Sequence, residues 1–236
     1  MTTTGMPRVA PLYDKGAISY SDATFVAIMI NGGNLNQLPD GLRKVDNPFS
    51  VIVLADYPKS DIGPYKEGVV LNLCETETGP GLFCSLIYVD SEVALCHGRE
   101  VWGFPKKLAK IEISVKKDGK ITAALSRQDT ILVELKGNAN QGMDVEDAGL
   151  SIGSMRIINW KYIPAVDGKG FDFSALTTVK LQPNFSSAST GHGQIHTDGE
   201  IKQVVGQPGE VEIIRASGNM YLPLGNIIKV FEPSDE

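Results

Sequence analysis

Two adjacent lysines, Lys106 and Lys107, follow a short turn of aromatic, glycine and proline residues, Trp102-Gly103-Phe104-Pro105. Desolvation and a neighbouring positive charge both disfavour a protonated amine, so each lowers the pKa of an amine in such a place. A neutral lysine attacks a ketone to form a protonated imine, which draws electrons from the neighbouring carbon. Most Lys-Lys pairs are solvated, so the surrounding residues must decide between a reactive pair and a surface pair.

The surrounding segment runs from Gly98 to Ile111 with the sequence GREVWGFPKKLAKI. It resembles the signature of the acetoacetate decarboxylase superfamily, in which a Gly-Arg-Glu segment leads through an aromatic-proline turn into a lysine pair. The resemblance implies that Lys106 forms the Schiff base and that Lys107 acts by lowering the pKa of its neighbour. It also implies a mainly β (α+β) fold, built on a closed, cone-like antiparallel sheet with a few short helices.

Three further positions follow from the resemblance. Glu67 falls where the family has an active-site glutamate, and its carboxyl group could carry a proton to or from the enamine carbon. Ile30 stands at the position of an arginine of the bacterial decarboxylases, and Ile52 at that of a second glutamate. Arginine binds carboxylates through its planar fork, so its loss would weaken recognition of acetoacetate. We therefore expect Ile30 and Ile52 to shape an apolar pocket.

Four residues of the motif itself are also expected to shape the site. Arg99 and Glu100 are expected to pair with each other or with the nearby backbone and to hold the lysine loop in place. They could instead supply a substitute charge pair for the substrate. Trp102 and Phe104 are expected to line the turn from which the lysines emerge.

Three functions remain open at this point. The first is a Schiff-base lyase that decarboxylates a small β-keto acid. The second is an aldolase-dehydratase, in which the same lysine makes an enamine from pyruvate that attacks an aldehyde and then loses water. The third is a non-catalytic small-molecule binding protein, which the set of Lys106, Lys107 and Glu67 disfavours because binding alone needs no paired lysine. The resemblance implies a homo-oligomer whose partner is a small oxo acid.

Other motifs give no support for a metal or a cofactor. His192 and His196 are four residues apart, but the glycines around them disfavour a helix, and no Glu follows His192 as H-E-x-x-H requires. Neither of the glycine-rich nucleotide-binding motifs is found. Cys74, Cys84 and Cys96 show no C-x-x-C spacing and are expected to be reduced packing residues. A cofactor-free site without a metal is predicted.

The composition and charge of the chain argue against several classes of function. The chain has 236 residues, with 22 Lys+Arg against 28 Asp+Glu and a formal net charge of −6. An acidic balance argues against nucleic acid or an anionic membrane as a partner. Apolar runs such as Phe25 to Ile30 are far shorter than the roughly 20 residues that span a bilayer. The first residues lack the pattern of a secretory signal, so a cytoplasmic location is expected.

Short segments of β character, bounded by turn residues, predict most of the secondary structure. The pair Asp118-Gly119 predicts a hairpin turn, Ser91 predicts the N-cap of a short helix ending near Gly98, and a second helix is predicted near Leu224. The polar stretch Pro183 to Gly199 is expected to be a loop or a mobile segment. We predict one domain over residues 1–236, peripheral before about position 20 and over the last few residues. The predicted strands are Phe25–Ile30, Phe49–Tyr57, Gly68–Thr76, Leu82–Val89, Lys110–Lys117, Lys120–Arg127, Ile131–Lys136, Arg156–Ile163, Leu176–Leu181 and Glu210–Ala216.

Overall fold

A computed structural model describes residues 16–33, 38–153 and 156–232. Short helices and many strands follow one another along the chain. The helices are α1 (Glu92–His97), α2 (Val145–Gly153) and α3 (Gly199–Val205), and a π-helical turn spans Gly98–Trp102. The strands are β1 (Ile18–Asn31), β2 (Phe49–Tyr57), β3 (Lys59–Ser60), β4 (Tyr65–Thr76), β5 (Gly79–Val89), β6 (Lys106–Leu108), β7 (Lys110–Val115), β8 (Lys120–Arg127), β9 (Thr130–Gly142), β10 (Ile157–Pro164), β11 (Phe171–Val179), β12 (Gln182–Thr197), β13 (Gly209–Leu222) and β14 (Asn226–Val230).

The strands of the described residues form one large sheet. Its hydrogen-bonded order is β14-β11-β10-β5-β4-β2-β1-β13-β12-β9-β8-β7, with β3 paired to β1 and β6 paired to β5. Nearly all pairs are antiparallel, but β5 pairs in parallel with both β6 and β10. The sheet curls so that β7 lies against β2 and β4. The predicted mainly β fold with short helices is confirmed, and its mainly antiparallel sheet includes two parallel pairs.

Alternating side chains of β1, β2 and β4 divide the interior into two cores, because successive strand residues point to opposite faces. The front core contains Phe25, Val53 and Val69, and it also takes in Trp102 from the π-helical turn. The rear core lies on the other face, where the curled sheet and α3 enclose it. Its members include Val26, Ile28, Ile52, Leu54, Val70, Leu125, Leu135, Ile201 and Ile213.

Several local predictions are confirmed. The strands predicted at Phe49–Tyr57 and Lys120–Arg127 have those bounds in the structure. Residues 116–119 join β7 to β8 and include Asp118-Gly119, and Gly119 has a φ of +88°, which suits glycine at this turn. Ser91 caps α1, since its hydroxyl oxygen accepts a hydrogen bond from the backbone N–H of Ala94 at 3.3 Å.

The loop predicted from Pro183 to Gly199 is wrong, because most of this stretch forms β12 between β9 and β13. A Cβ at Gly191 would lie 2.0 Å from the carbonyl oxygen of Asn138, and one at Gly193 would lie 2.8 Å from that of Lys136. These glycines therefore permit close packing of two strands, and they do not mark a turn. The helix α3, which begins at the last residue of this stretch, was not predicted.

Two other expectations need correction. The helix predicted near Leu224 is wrong, because residues 226–230 form β14, which pairs with β11. The chain before about position 20 is not wholly peripheral, since Ile18 and Tyr20 are buried in the front core; the first 15 residues lie outside the described part. No helix of the described residues is long and apolar enough to cross a membrane.

Candidate active site

Lys106 enters the front core from β6, the short strand that runs parallel to β5. Its register partner on β5 is Ile87, and its side chain is only 6% exposed. The aliphatic part of the side chain passes directly over Gly98, where a Cβ would lie 2.5 Å from Cε of the lysine. The absence of a side chain at Gly98 therefore makes room for the buried lysine.

The preceding turn is anchored on several sides. Gly103 has a φ of +79°, and a Cβ there would lie 2.6 Å from the Cα of Lys161. The ammonium group of Lys161 donates hydrogen bonds to the carbonyl oxygens of Glu100 and Val101. The indole N–H of Trp102 donates to the carbonyl oxygen of Pro223 at 2.9 Å. The backbone that leads into β6 is thus fixed by the positive φ of Gly103 and by hydrogen bonds from the side chains of Lys161 and Trp102.

A cavity of about 50 Å³ surrounds the amine of Lys106. Most of its walls are apolar, and among the lining residues Lys106 is the only cation and Glu67 the only anion. This volume is well below the roughly 300–1,000 Å³ of typical ligand pockets, and the walls contain few groups that could solvate a charge. The lining residues are Tyr20, Phe25, Val53, Tyr57, Glu67, Val69, Leu71, Ile87, Phe104, Lys106, Ile157, Leu181, Met220 and Leu222.

Glu67, on β4, is the direct partner of the buried amine. The Nζ atom of Lys106 lies 2.7 Å from Oε2 of Glu67, whose side chain is 13% exposed. The hydroxyl group of Tyr57 donates to the other carboxylate oxygen, Oε1, at 3.4 Å. The amine and the carboxyl group are therefore close enough to exchange a proton directly.

Three tyrosines from β1, β2 and β4 pack beside this pair. The hydroxyl groups of Tyr20 and Tyr65 are 2.8 Å apart, and Nζ of Lys106 lies 5.4 Å from the ring centre of Tyr65. Burial raises the pKa of Tyr57 and of Tyr65 well above the ordinary value, and the charge of Glu67 adds to the effect on both. These tyrosines consequently stay protonated, so that Tyr57 remains a hydrogen-bond donor to the carboxylate.

Lys107 does not lie beside the amine of Lys106. Consecutive residues of β6 point to opposite faces, and Lys107 extends over the ring of Tyr88, a residue of the rear core. There its ammonium group forms an ion pair with Glu200 of α3. This geometry corrects the expectation of two adjacent ammonium groups in the site.

Ile30 and Ile52 also lie away from the cavity. Both are buried in the rear core, whereas Glu67 faces the front core. On β2 the register partner of Glu67 is Ala55, so Ile52 has the opposite parity and faces the other side of the sheet. Assigning them to the site was therefore wrong, because a shift of one residue in a strand moves a side chain to the opposite face. From these two strands, Phe25 and Val53 line the cavity instead.

The remaining predicted residues divide between the loop and the cavity wall. Arg99 donates from Nη1 to the carbonyl oxygen of Lys106 at 3.3 Å, as expected for a residue that holds the loop. Glu100 is exposed, and its backbone carbonyl oxygen accepts a hydrogen bond from the ammonium group of Lys161. Phe104 lines the cavity, with its ring centre 5.7 Å from Nζ of Lys106. Trp102 stands behind Phe104 and does not line the cavity.

Four residues of the site were not predicted from the sequence: Tyr20, Tyr57, Tyr65 and Gly98. The parity of β4 places Tyr65 on the same face as Glu67, and this signal was available from the sequence. Tyr20 could not be found in this way, because a register shift between Tyr20 and Ala23 interrupts the pairing of β1 with β13. Only the three-dimensional pairing of the strands brings their side chains together.

The profile of the family described as acetoacetate decarboxylase (ADC) matches residues 9–219 of this chain. The chain belongs to the acetoacetate decarboxylase family. Among curated relatives, the acetoacetate decarboxylase of Burkholderia cenocepacia (strain HI2424) is 27% identical, over 94% of this chain and 93% of the relative. The corresponding Burkholderia multivorans protein has the same identity and coverage. The resemblance inferred from the lysine motif is thus confirmed for the family.

Two solved structures share the fold. The acetoacetate decarboxylase of Legionella pneumophila superimposes with a TM-score of 0.85 at 22% identity, covering 98% of this chain and 94% of that chain. The enduracididine biosynthesis enzyme MppR, in its complex with pyruvate, gives a TM-score of 0.75 at 18% identity, with 94% of each chain covered. At these identities the structural comparisons establish the common architecture.

Proposed function

We propose that this chain is a cofactor-free Schiff-base lyase that decarboxylates a small β-keto acid through Lys106. The observation that carries the proposal is the buried amine of Lys106, 2.7 Å from the carboxyl group of Glu67 in a small cavity with apolar walls. Membership of the acetoacetate decarboxylase family and the names of the curated relatives support the same chemistry.

The reaction begins with a proton transfer from the ammonium group of Lys106 to Oε2 of Glu67. The neutral amine attacks the ketone carbon to form a carbinolamine, and Glu67 returns its proton to the departing hydroxyl group, so that water leaves and an iminium ion remains. The apolar walls disfavour the free carboxylate of the substrate. When the bond to the carboxyl carbon breaks, its electron pair moves toward the iminium nitrogen, CO2 leaves and a neutral enamine remains.

Glu67 completes the cycle in this proposal. Its carboxylate takes up a proton from solvent and delivers it to the enamine carbon, which regenerates an iminium ion. Hydrolysis of the iminium releases the ketone product and the amine. Tyr57, protonated across the working pH range, donates to Oε1 of Glu67 and so directs Oε2 toward Lys106.

An aldolase-dehydratase is the second candidate, because it would use the same amine of Lys106. Arginine is missing from the described residues that line the cavity, so neither the carboxylate of a β-keto acid nor that of pyruvate has a bidentate partner there, and the lining does not favour one reaction over the other. MppR, which shares the fold, has been solved with the condensation product of pyruvate and imidazole 4-carboxaldehyde. With pyruvate, the enamine on Lys106 would attack an aldehyde that occupies the apolar part of the cavity.

Borohydride trapping tests the first step. Wild-type protein is incubated separately with acetoacetate and with pyruvate, reduced with borohydride and examined by peptide mass spectrometry. We expect a reduced adduct on Lys106 that Lys106→Ala abolishes, while Lys110→Ala, at an exposed ion-paired lysine, leaves it unchanged. The mass of the adduct identifies the oxo acid that reacts.

Product assays then separate the two candidates. CO2 release from acetoacetate with kcat/KM of about 10⁴ M⁻¹s⁻¹ or more supports the decarboxylase. Formation of an unsaturated oxo acid from pyruvate and an aldehyde supports the aldolase-dehydratase. Absence of any adduct on Lys106 and of both products would overturn both proposals and favour a small-molecule binding protein.

A further inference from the structure

Two buried tyrosine hydroxyl groups beside the cavity have no part in the proposed reaction. The hydroxyl oxygens of Tyr20 and Tyr65 are 2.8 Å apart, and the two residues are 3% and 4% exposed. Each hydroxyl group has one proton to donate, and only one of the two protons can lie between them. Neither hydroxyl group has a second hydrogen-bond partner among the described residues. One buried O–H donor is therefore left without an acceptor, which costs free energy until a ligand accepts from it.

The direction of this hydrogen bond decides which proton is free. Burial raises the pKa of both hydroxyl groups, and the bond between them raises the pKa of Tyr65 further but acts to lower that of Tyr20. This difference is expected when Tyr65 donates and Tyr20 accepts. The free proton is then that of Tyr20, which lines the cavity, whereas Tyr65 is not among the lining residues.

A bulge in β1 turns Tyr20 toward the cavity. Phe25 and Tyr20 both face the front core, although strict alternation from Phe25 would point Tyr20 to the opposite side. The pairing of β1 with β13 shifts between Tyr20 and Ala23, and Asp22 has a φ of +57°. The backbone N–H of Asp22 donates to Oδ1 of Asn219 at 3.3 Å. Bulges next to active sites re-aim side chains, and this one brings a hydroxyl group to the cavity wall.

The polar parts of an oxo acid need different partners in this cavity. In the proposed reaction the ketone carbon binds Nζ of Lys106, and the ketone oxygen leaves as water with a proton from Glu67. The carboxylate of the substrate is the remaining polar group, and no arginine is among the described residues that line the cavity. Tyr20 is close to the reacting pair, since its ring centre lies 4.4 Å from that of Tyr57, the hydrogen-bond partner of Glu67.

We infer that the hydroxyl group of Tyr20 binds the carboxylate of the substrate. The inference rests on the proposed role of Lys106, and it describes the substrate as an oxo acid whose carboxylate is held by a neutral donor. Such a donor suits decarboxylation, because the carboxylate loses its charge as the carbon–carbon bond breaks. A strong ion pair would stabilise the ground state more than the transition state. Tyr65 donates to Tyr20 and so strengthens it as a donor.

The test compares Tyr20→Phe with wild type on two ketones. Acetoacetate has the carboxylate, and acetone has the same methyl ketone without it. Each ketone is supplied with cyanoborohydride, and peptide mass spectrometry measures the rate from the total amount of modified Lys106. Tyr221→Phe is the matched control, because Tyr221 is an exposed tyrosine of β13. Circular dichroism and thermal melting establish that each variant is folded.

We expect the rate with acetoacetate to fall by about 10- to 100-fold in Tyr20→Phe, as for the loss of a hydrogen bond to a charged group. The rate with acetone should stay close to that of wild type, so the preference for the carboxylate is lost. Tyr65→Phe should show a smaller fall of the same kind, and it provides the comparison if Tyr20→Phe does not fold. Tyr221→Phe should show none.

Two results would overturn the inference. Equal falls with both ketones would show that Tyr20 acts on Lys106 or on the packing of the cavity, and a wild-type rate with acetoacetate would show that another group binds the carboxylate. Failure of the proposed function is distinguishable, because wild type would then form no adduct on Lys106 with either ketone. The inference would fall with it in that case.

Discussion

At the scale of single residues, the chemistry depends on one buried pair. Lys106 and Glu67 are the only oppositely charged groups that line the cavity within the described part of the chain. Their 2.7 Å separation lets Glu67 take a proton from the ammonium group before attack and return it when water leaves. Tyr57 holds the second carboxylate oxygen at 3.4 Å, a longer and therefore weaker contact.

Glu67→Gln tests the proton transfers of Glu67. Glutamine can accept a hydrogen bond from Lys106 but cannot carry the proton, so we expect turnover to fall by about 10²- to 10⁴-fold. Trapping of the imine on Lys106 should be slower than in wild type but should still go to completion, because the ammonium group can lose its proton to solvent. Steady-state kinetics and borohydride trapping on one preparation measure both, and Tyr57→Phe serves as the milder comparison. Turnover within twofold of wild type in Glu67→Gln would show that another group supplies the proton.

At the scale of elements, the segment from α1 to β6 determines where the side chain of Lys106 lies. Ser91 caps α1, the π-helical turn begins at Gly98, and Gly103 adopts positive φ before the chain enters β6. π-helical turns are rare and occur frequently at functional sites. This one brings Gly98 directly beneath the side chain of Lys106.

Gly98→Ala tests that close approach. The added Cβ would lie 2.5 Å from Cε of Lys106, but Cε belongs to a flexible side chain that can move aside. We therefore expect stability close to that of wild type together with a loss of kcat of about 10²-fold, since a displacement near 1 Å can cost that much. Gly142→Ala is the control, because a Cβ at Gly142 meets nothing within 4 Å. Equal kcat in the two variants would remove Gly98 from the site.

At the scale of the whole molecule, one curled sheet separates two cores with different tasks. The front core surrounds the cavity, and the rear core is closed by α3 and the curled strands. Neighbouring residues of β2 therefore belong to different cores: Ile52 is 1% exposed in the rear core, whereas Val53 lines the cavity. The homo-oligomeric assembly and the cytoplasmic location stay predictions.

The paired substitutions Ile52→Ala and Val53→Ala distinguish the two cores. Ile52→Ala should lower the free energy of unfolding by about 2–5 kcal/mol, because it opens a cavity in a packed core. Its kcat per folded molecule should match that of wild type. Val53→Ala removes fewer carbon atoms and enlarges the cavity beside Lys106, so we expect a smaller loss of stability and a changed KM. Urea unfolding and steady-state kinetics measure the two effects; an altered KM in Ile52→Ala alone would contradict the division.

The local features of the chain were determined by its sequence. The Asp118-Gly119 hairpin, the Ser91 cap and strands such as Phe49–Tyr57 follow from turn chemistry, capping and β propensity. The motif around Lys106 identified the family. These features depend on residues that are near one another along the chain, so sequence reasoning reaches them.

Tertiary structure decided which side chains meet at the site. Strand parity and register set the face on which each residue lies. An error of one position in a strand was therefore enough to assign Ile30 and Ile52 to the cavity, although both lie in the rear core. Lys107 pairs with Glu200, which is 93 positions away along the chain. Glu200 lies on α3, a helix that was not predicted from the sequence. Contacts of this kind depend on which strands pair and how the sheet curls, and local propensity contains no information about either.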